Sequence, residues 1–276
     1  MICPWKEFLS ILPAWLAGEV NKHCPETLLE LRLRLDQPPQ LVEKNHCRWL
    51  DRNITANDLS FCVNAASRYS PWAAQSAAQG YITAHGGHRI GLCGSAVVHD
   101  GVMTGIRTVR SLCIRIAHDF PGLAEPYAHL IGSILIIGPP GSGKTTLLRD
   151  LIRQLSLHET VAVVDERGEI FPDGCFTYGK SQDVLSGCPK SKAIDILLRT
   201  MGPQTIAVDE ITAADDCEAL QQAGWCGVRL IATAHASNMA DLRNRPIYAP
   251  LISKRLFDHI LVMRRDKTIY EERMIP

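Results

Sequence analysis

Ile134-Leu-Ile-Ile-Gly-Pro-Pro-Gly-Ser-Gly-Lys-Thr-Thr-Leu-Leu148 decides the fold of this chain. Four apolar residues, 134–137, make a short buried strand. A glycine-rich turn comes next, and then Leu147, Leu148, Leu151, Ile152 and Leu155 recur at helical spacing. Between strand and helix, Gly138 to Thr145 matches G-x-x-x-x-G-K-[ST] at every required position. The glycines let backbone N–H groups turn inward toward a phosphate, and a helix starting near Gly143 adds its positive dipole end. Lys144 neutralises phosphate charge, and Thr145 offers a hydroxyl to Mg²⁺. The nucleotide-binding residues are therefore Gly138, Pro139, Pro140, Gly141, Ser142, Gly143, Lys144, Thr145 and Thr146.

A phosphate loop alone means nucleotide, not hydrolysis. Thr205-Ile-Ala-Val-Asp-Glu-Ile211 supplies the second half: a buried strand ending in two acids. Asp209 is placed to hold the Mg²⁺ shell, and Glu210 to orient and deprotonate an attacking water. Such a pair argues against a small-molecule kinase, which must exclude that water. Thr212-Ala-Ala-Asp215 behind the pair has the form of a capping box. Val161-Ala-Val-Val-Asp-Glu-Arg-Gly-Glu-Ile170 is another strand ending in acids, with Asp165, Glu166 and Glu169 expected on the same edge as the phosphate loop. Ile231-Ala-Thr-Ala-His-Ala-Ser-Asn238 ends a further strand near His235, which is either an ordinary strand-end residue or a sensor of the γ-phosphate.

With Ile260–Val262, these runs make five short apolar strands, most of them separated by helical patterns such as Ile194, Leu197, Leu198 and Met201. Strands alternating with helices mean a mostly parallel sheet. The fold class expected is α/β: a RecA-like P-loop NTPase domain over 133–276, preceded by a smaller α+β domain over 1–117 and a linker over 118–132 that contains Pro121-Gly122 and Pro126. In the first domain, Pro4, Pro13 and Pro25 break one or two short helices. Leu29, Leu31, Leu33 and Leu35 alternate with Glu30, Arg32, Arg34 and Asp36 as a half-buried strand, and 40–50 returns as a partner strand. Thr55-Ala-Asn-Asp58 caps a helix over 56–69. Gly86-Gly87, Gly94 and Asp100-Gly101 punctuate a β-meander over 81–106.

The composition sets limits. Lys+Arg and Asp+Glu balance at 29 each, so no global basic field points to nucleic acid, although a local basic patch remains open. The 10 cysteines contain no C-x-x-C pair, which excludes zinc-ribbon spacing. No run approaches the ~18 apolar residues of a membrane span, and the first residues lack a secretory layout, so a cytoplasmic protein is expected. His85-Gly-Gly-His88 sits in a hairpin turn and lacks further ligands. Trp5, Trp15, Trp49, Trp72 and Trp225 are scattered and form no stacking stripe.

The order of the boxes at 138–145, 165–169, 205–210 and 233–238 resembles that of the type II and type IV secretion ATPases, with Leu197-Leu-Arg-Thr-Met-Gly-Pro203 similar to the segment ahead of their acidic strand. The resemblance is closer to their sporulation branch, the stage III sporulation AA family. It extends to Leu31-Arg-Leu-Arg34, to Gly80-Tyr-Ile-Thr83 with Gly86-Gly-His-Arg-Ile-Gly91, and to Val164-Asp-Glu-Arg-Gly-Glu-Ile170. Pilus motors of the wider family usually carry Gly-Glu where this chain has Asp209-Glu210, and the tetracysteine insert and a long C-terminal helical region are missing. The resemblance implies an ATP- and Mg²⁺-dependent ATPase. It implies a homo-oligomeric ring, a hexamer by family precedent, working with membrane proteins of the channel complex between mother cell and forespore. His235 and Glu169 become catalytic candidates through it. So do arginines acting on the γ-phosphate: Arg110 and Arg115 late in the first domain, near Arg107, and Arg199 before the acidic strand. Two alternatives stay open: a nucleic-acid-handling ATPase, supported by Arg32, Arg34 and the 107–115 arginines, and a nucleotide-switched scaffold that does not hydrolyse.

Overall fold

The computed structural model describes residues 1–43, 46–67, 80–172 and 176–273. Backbone packing divides the chain into two compact units, Met1–Asp119 with Pro172–Phe176, and Phe120–Phe171 with Thr177–Pro276.

The first unit is built on six strands: β1 Leu28–Arg34, β2 Gln40–Glu43, β3 Cys47–Trp49, β4 Tyr81–Thr83, β5 Arg89–His99 and β6 Val102–Arg115. They pair in the order β3-β2-β1-β6-β5-β4, and every neighbour is antiparallel. Leu31 and Leu33 face a core as their alternation predicts, but Leu29 is 38% exposed. The β1–β2 register slips between Leu28 and Glu30, and this bulge puts Leu28 on the buried face instead. The segment expected to return as one strand makes two: β2 returns along β1, and β3 turns back along β2. Helices Trp5–Ser10, Ala14–Val20 and Ala56–Ser67 cover the apolar face through Phe8, Leu16, Val20, Leu59 and Cys62. The capping box at Thr55 forms: Asp58 N–H donates to the Thr55 hydroxyl at 3.2 Å, and Thr55 N–H to the Asp58 carboxylate at 2.9 Å. The expected helix end at 68–69, and Trp72, lie outside the described residues.

The second unit carries a seven-stranded sheet: β7 Ile134–Ile137, β8 Val161–Asp165, β9 Gln182–Ser186, β10 Thr205–Val208, β11 Arg229–Ala234, β12 His259–Met263 and β13 Ile269–Arg273. The order is β13-β12-β7-β11-β10-β8-β9, parallel throughout except for the β12–β13 hairpin. Alternate residues of one strand enter two cores. Ile134 and Ile136 pack under the helix Lys144–Leu155, whereas Leu135 and Ile137 join the core beneath Lys190–Thr200 and Ala214–Trp225. A sheet covered on both faces needs unbroken apolar strands, which is why the runs read so plainly in the sequence. Helical spacing places Met201 on the buried face of its helix; the helix instead ends at Thr200, and Met201 is 47% exposed. Within 118–132, a 3₁₀ turn spans Glu125–Tyr127, and the N–H of buried Ala124 is tied to the Asp150 carboxylate at 2.8 Å.

His88 is a packing residue. It is fully buried, its Nδ1 accepts from the Ala117 N–H at 3.2 Å, and its Nε2 lies 2.9 Å from the Pro4 carbonyl. A backbone N–H can only donate, so the ring is the neutral Nε2–H tautomer. Burial pushes its pKa down to about 4. The unfolded ring titrates near 6.5, so the unfolded chain gains a proton before the folded one as pH falls. Stability is therefore full above about pH 6.5 and lost toward pH 4, by on the order of 3 kcal/mol from this group. Urea unfolding of the wild type and of His88→Gln across that range is expected to show a flatter pH profile for the variant. Parallel profiles would refute the assignment.

Candidate active site

The phosphate loop, His235 and the Asp209-Glu210 pair sit at the carboxyl ends of β7, β11 and β10, three adjacent strands. Parallel pairing delivers all three ends to one edge. The helix after the loop begins at Lys144, and Gly143 before it adopts φ 103°. A Cβ at Gly138 would lie 2.6 Å from both the Met263 carbonyl and the Ser142 hydroxyl, so the loop closes only on glycine there.

Lys144 is 6% exposed. Its ammonium donates to the carbonyls of Gly138 at 2.9 Å and Pro139 at 3.1 Å, and to His235 Nδ1 at 3.1 Å. An ammonium cannot accept, so His235 Nδ1 is the acceptor and Nε2 carries the ring proton. Nε2 in turn lies 3.0 Å from Glu210 Oε1. Lys144, His235 and Glu210 thus form one hydrogen-bonded chain across the three strand ends. Burial pushes the Lys144 pKa down, while the charges of Asp209 and Glu210 pull it back up. A second lysine, Lys267 in the turn between β12 and β13, donates to the Gly141 carbonyl of the loop.

The two acids are held differently. Asp209 accepts from the Thr145 hydroxyl at 2.9 Å and from the Thr233 hydroxyl at 2.7 Å. The Glu210 N–H donates to Thr233 Oγ1 at 2.9 Å and to Asp209 Oδ1 at 3.0 Å. These bonds hold Glu210 at φ 33°, a left-handed backbone that a side chain rarely adopts. Arg167 Nη1 stands 3.8 Å from Glu210 Oε2.

The sequence places Asp165 on this edge. In the structure it is 1% exposed and accepts the N–H groups of Glu169, Ile170 and Phe171 at 2.8, 3.0 and 2.9 Å. Burial raises its pKa to about 6 against the pull of those donors, so at neutral pH it remains the ionised acceptor that shapes the turn. Arg149, on the helix after the phosphate loop, grips the same turn through the carbonyls of Ile170 and Glu169. Glu166 pairs with Lys190 at 2.6 Å, and the segment lines a concavity with Arg167, Glu169, Asp209 and Glu210.

These residues fit a magnesium nucleotide. The Ser142 hydroxyl is buried inside the loop with no hydrogen-bond partner among the described residues. Hydroxyl and carboxylate, the donors that Mg²⁺ prefers, meet at Thr145 and Asp209. Among the described residues no group of three His, Cys, Asp or Glu side chains is spaced to hold a metal. An ion arriving with a phosphate chain requires only the two.

Residues 10–275 match the family described as sporulation stage III, protein AA. The chain belongs to that family. It is 35% identical to the stage III sporulation protein AA of Bacillus subtilis strain 168, over 95% of this chain and 91% of the relative. Among solved structures, the ATPase DotB of Legionella pneumophila superposes with a TM-score of 0.59 at 17% identity, over 95% of this chain and 81% of that one. The pilus retraction motor PilT with bound ADP gives 0.59 at 17%, over 88% and 76%. At that identity the likeness establishes the fold: an α/β unit with the mostly parallel sheet of these ATPases, and a smaller antiparallel unit before it.

The remaining candidates of this family member are scattered. Thr146 is half-buried in the first turn of its helix. Arg199 is 76% exposed and pairs at 2.9 Å with Asp195, one turn back on its own helix. Arg110 and Arg115 lie on β6 of the first unit; Arg110 is exposed, and Arg115, 65% exposed, stands 3.6 Å from Glu30. The capping box read at Thr212–Asp215 is displaced by one residue: Asp216 accepts the N–H groups of Thr212 and Ala213, both at 3.0 Å. Four residues gain roles that sequence reasoning did not assign, namely Arg149, Arg167, Thr233 and Lys267. Arg167 and Thr233 stand inside boxes already singled out, but nothing in their spacing says what they touch.

Asp165→Ala is expected to strand three buried N–H donors and to lower stability by about 2–4 kcal/mol in urea unfolding. Asp165→Asn keeps one acceptor oxygen and is expected to lose less. A loss below about 1 kcal/mol in the alanine variant would show that the turn does not depend on this carboxylate.

Proposed function

We propose that this chain hydrolyses ATP with Mg²⁺ as a ring-forming ATPase of the secretion-traffic kind, and that turnover powers or gates a membrane-associated transport complex between mother cell and forespore. The observation that carries the reading is the bonded chain Lys144–His235–Glu210, set beside the Thr145–Asp209 pair. Membership of a sporulation family supports the setting, and the fold shared with DotB and PilT supports the motor reading. Among the described residues no helix is long and apolar enough to cross a membrane. In this reading the chain works from the cytoplasm, against membrane-protein partners of that complex.

The mechanism rests on donors and acceptors. All three Lys144 protons are engaged, by two loop carbonyls and His235. A phosphate oxygen must therefore displace one of these contacts, and the two at 3.1 Å are the longer. If the bond to His235 is the one exchanged, substrate binding frees His235 Nδ1 and changes the ring that holds Glu210. Glu210, 32% exposed, is positioned to take the proton of an attacking water. Arg167 Nη1 stands 3.8 Å from its other carboxylate oxygen. Bound Mg²⁺ would supply charge neutralisation at the phosphates, with Thr145 and Asp209 as its protein donors. Glu169, Arg110, Arg115 and Arg199 remain candidates for contacts completed only in the assembled ring, a hexamer by analogy with the wider family.

Steady-state hydrolysis, measured with oligomer mass in the same samples, tests this. Lys144→Ala is expected to weaken nucleotide binding at least ten-fold. Glu210→Gln is expected to keep binding and lose turnover by about 10²–10³-fold, the share of a general base. Turnover that survives Glu210→Gln would sink the mechanism.

A further inference from the structure

Strand register in the first unit collects a set of residues that lie far apart in sequence. The face opposite the apolar core carries three aligned rows. One runs Thr83, Arg89, Arg115, Glu30, Val42, Cys47 across β4, β5, β6, β1, β2 and β3. The next runs Tyr81, Gly91, Cys113, Arg32, Gln40, Trp49, and the third holds Cys93, Ser111 and Arg34. Among the described residues these rows therefore hold four arginines and one carboxylate, Glu30.

That carboxylate is engaged by Arg32 at 2.7 Å and stands 3.6 Å from Arg115. Arg34 is bonded to the Gln40 amide at 2.9 Å and lies over the Trp49 ring at 5.9 Å from its centroid. Arg89 lies over Tyr81 at 4.6 Å. Each aromatic ring is thus paired with a guanidinium plane. Between the two pairs the floor is small on β5 and β6, with Gly91, Cys93, Ser111 and Cys113, and continues to Trp49 through Arg32 and Gln40. Trp49 is 53% exposed, and the side chains of Arg32 and Arg115 are 42% and 65% exposed. With strands about 4.8 Å apart, Tyr81 and Trp49 stand about 24 Å from each other at the two ends of one row.

We propose that this sheet face binds single-stranded nucleic acid, with the arginines on the phosphates and Trp49 and Tyr81 as stacking platforms at the two ends. Charge complementarity selects a polyanion. The aromatic–guanidinium pairs select one with flat bases, because stacking on aromatic and arginine planes is how a single strand is held without a sequence code. A duplex does not fit, since its bases are already stacked inside it. This face uses no residue of the phosphate loop or of the Asp209-Glu210 pair, and Arg115 is the one arginine it shares with the candidates for ring contacts.

Fluorescence anisotropy of the full chain with labelled 20-nucleotide single-stranded RNA, single-stranded DNA, duplex DNA and polyphosphate tests it. Expected is binding of a single strand at low salt, weaker binding of duplex and polyphosphate, and no displacement by excess ATP. The RNA and DNA arms identify which strand is preferred. Arg34→Ser with Arg89→Ser is expected to weaken binding at least ten-fold and to lower the salt slope by about 2, since each phosphate contact contributes close to 1. Trp49→Ala, at an exposed position, is expected to weaken the oligonucleotides several-fold and leave polyphosphate unchanged. Thermal unfolding of each variant establishes that it is folded. Absence of single-strand binding at low salt overturns the proposal. So does polyphosphate binding as tight as oligonucleotide and indifferent to Trp49→Ala. Loss of self-association in the arginine variants with oligonucleotide binding intact would overturn it too, and make the face a contact between copies of this chain.

Discussion

Strand β11 sits between β7 and β10, and the chemistry of the second unit depends on that insertion. The three strands run parallel, so their carboxyl ends open side by side, and the segments that leave those ends are forced into contact with one another. The phosphate loop leaves β7 and the paired acids leave β10. Only the residue after β11 can bridge them, and that residue is His235. An imidazole has one nitrogen for each side: Nδ1 faces the lysine of one strand end and Nε2 the carboxylate of the other. A shorter or single-headed side chain at this position could touch one partner but not link both.

The same insertion explains the strained backbone at Glu210. Asp209 must point back toward Thr145, and Glu210 must point toward the histidine. The strand has ended at Val208, and the left-handed backbone at Glu210 lets the two acids reach these separate partners. Thr233 on β11 absorbs the cost: its hydroxyl donates to one acid and accepts the N–H of the other. A valine of the same shape would leave the Glu210 N–H only its Asp209 acceptor and the Asp209 carboxylate short of a donor. Threonine there serves the geometry of the acids and not only the sheet.

The parts of the molecule legible in the sequence are those set by short-range rules. The parallel strands are buried on both faces, so each is an apolar run. The phosphate loop needs glycines at set positions, and the Thr55 capping box needs two residue types three apart. The parts that escape such a reading are set by tertiary contact. β9, Gln182–Ser186, is a polar edge strand without an apolar run to announce it. Leu29 obeys the alternation of β1 in sequence, but a bulge decides which leucine goes inside. Asp165 has the look of a site acid, yet its three N–H partners come from a turn whose path depends on Arg149, sixteen residues upstream. Carboxylates that cap turns and carboxylates that meet ligands share a residue type and a place at a strand end. Only the direction of the side chain separates them.

Charge shows the same distinction at larger scale. A chain with 29 basic and 29 acidic residues has no net field, and counting them argues against any polyanionic partner. Field at a surface is local, however, because screening in salt ends its reach within about 10 Å. The deciding factor is which residues the sheet brings within that distance. Arg89 and Arg34 are fifty-five positions apart in the chain, and Arg32 and Arg115 eighty-three. An antiparallel sheet covered by helices on one side turns alternate residues of every strand to the other. The polar half of each strand pattern, which in the sequence reads only as a solvated face, is thereby summed across six strands. Four arginines collect in the aligned rows with a single glutamate, an imbalance that the count over the whole chain averages away. Local register rather than composition therefore decides what this face can hold.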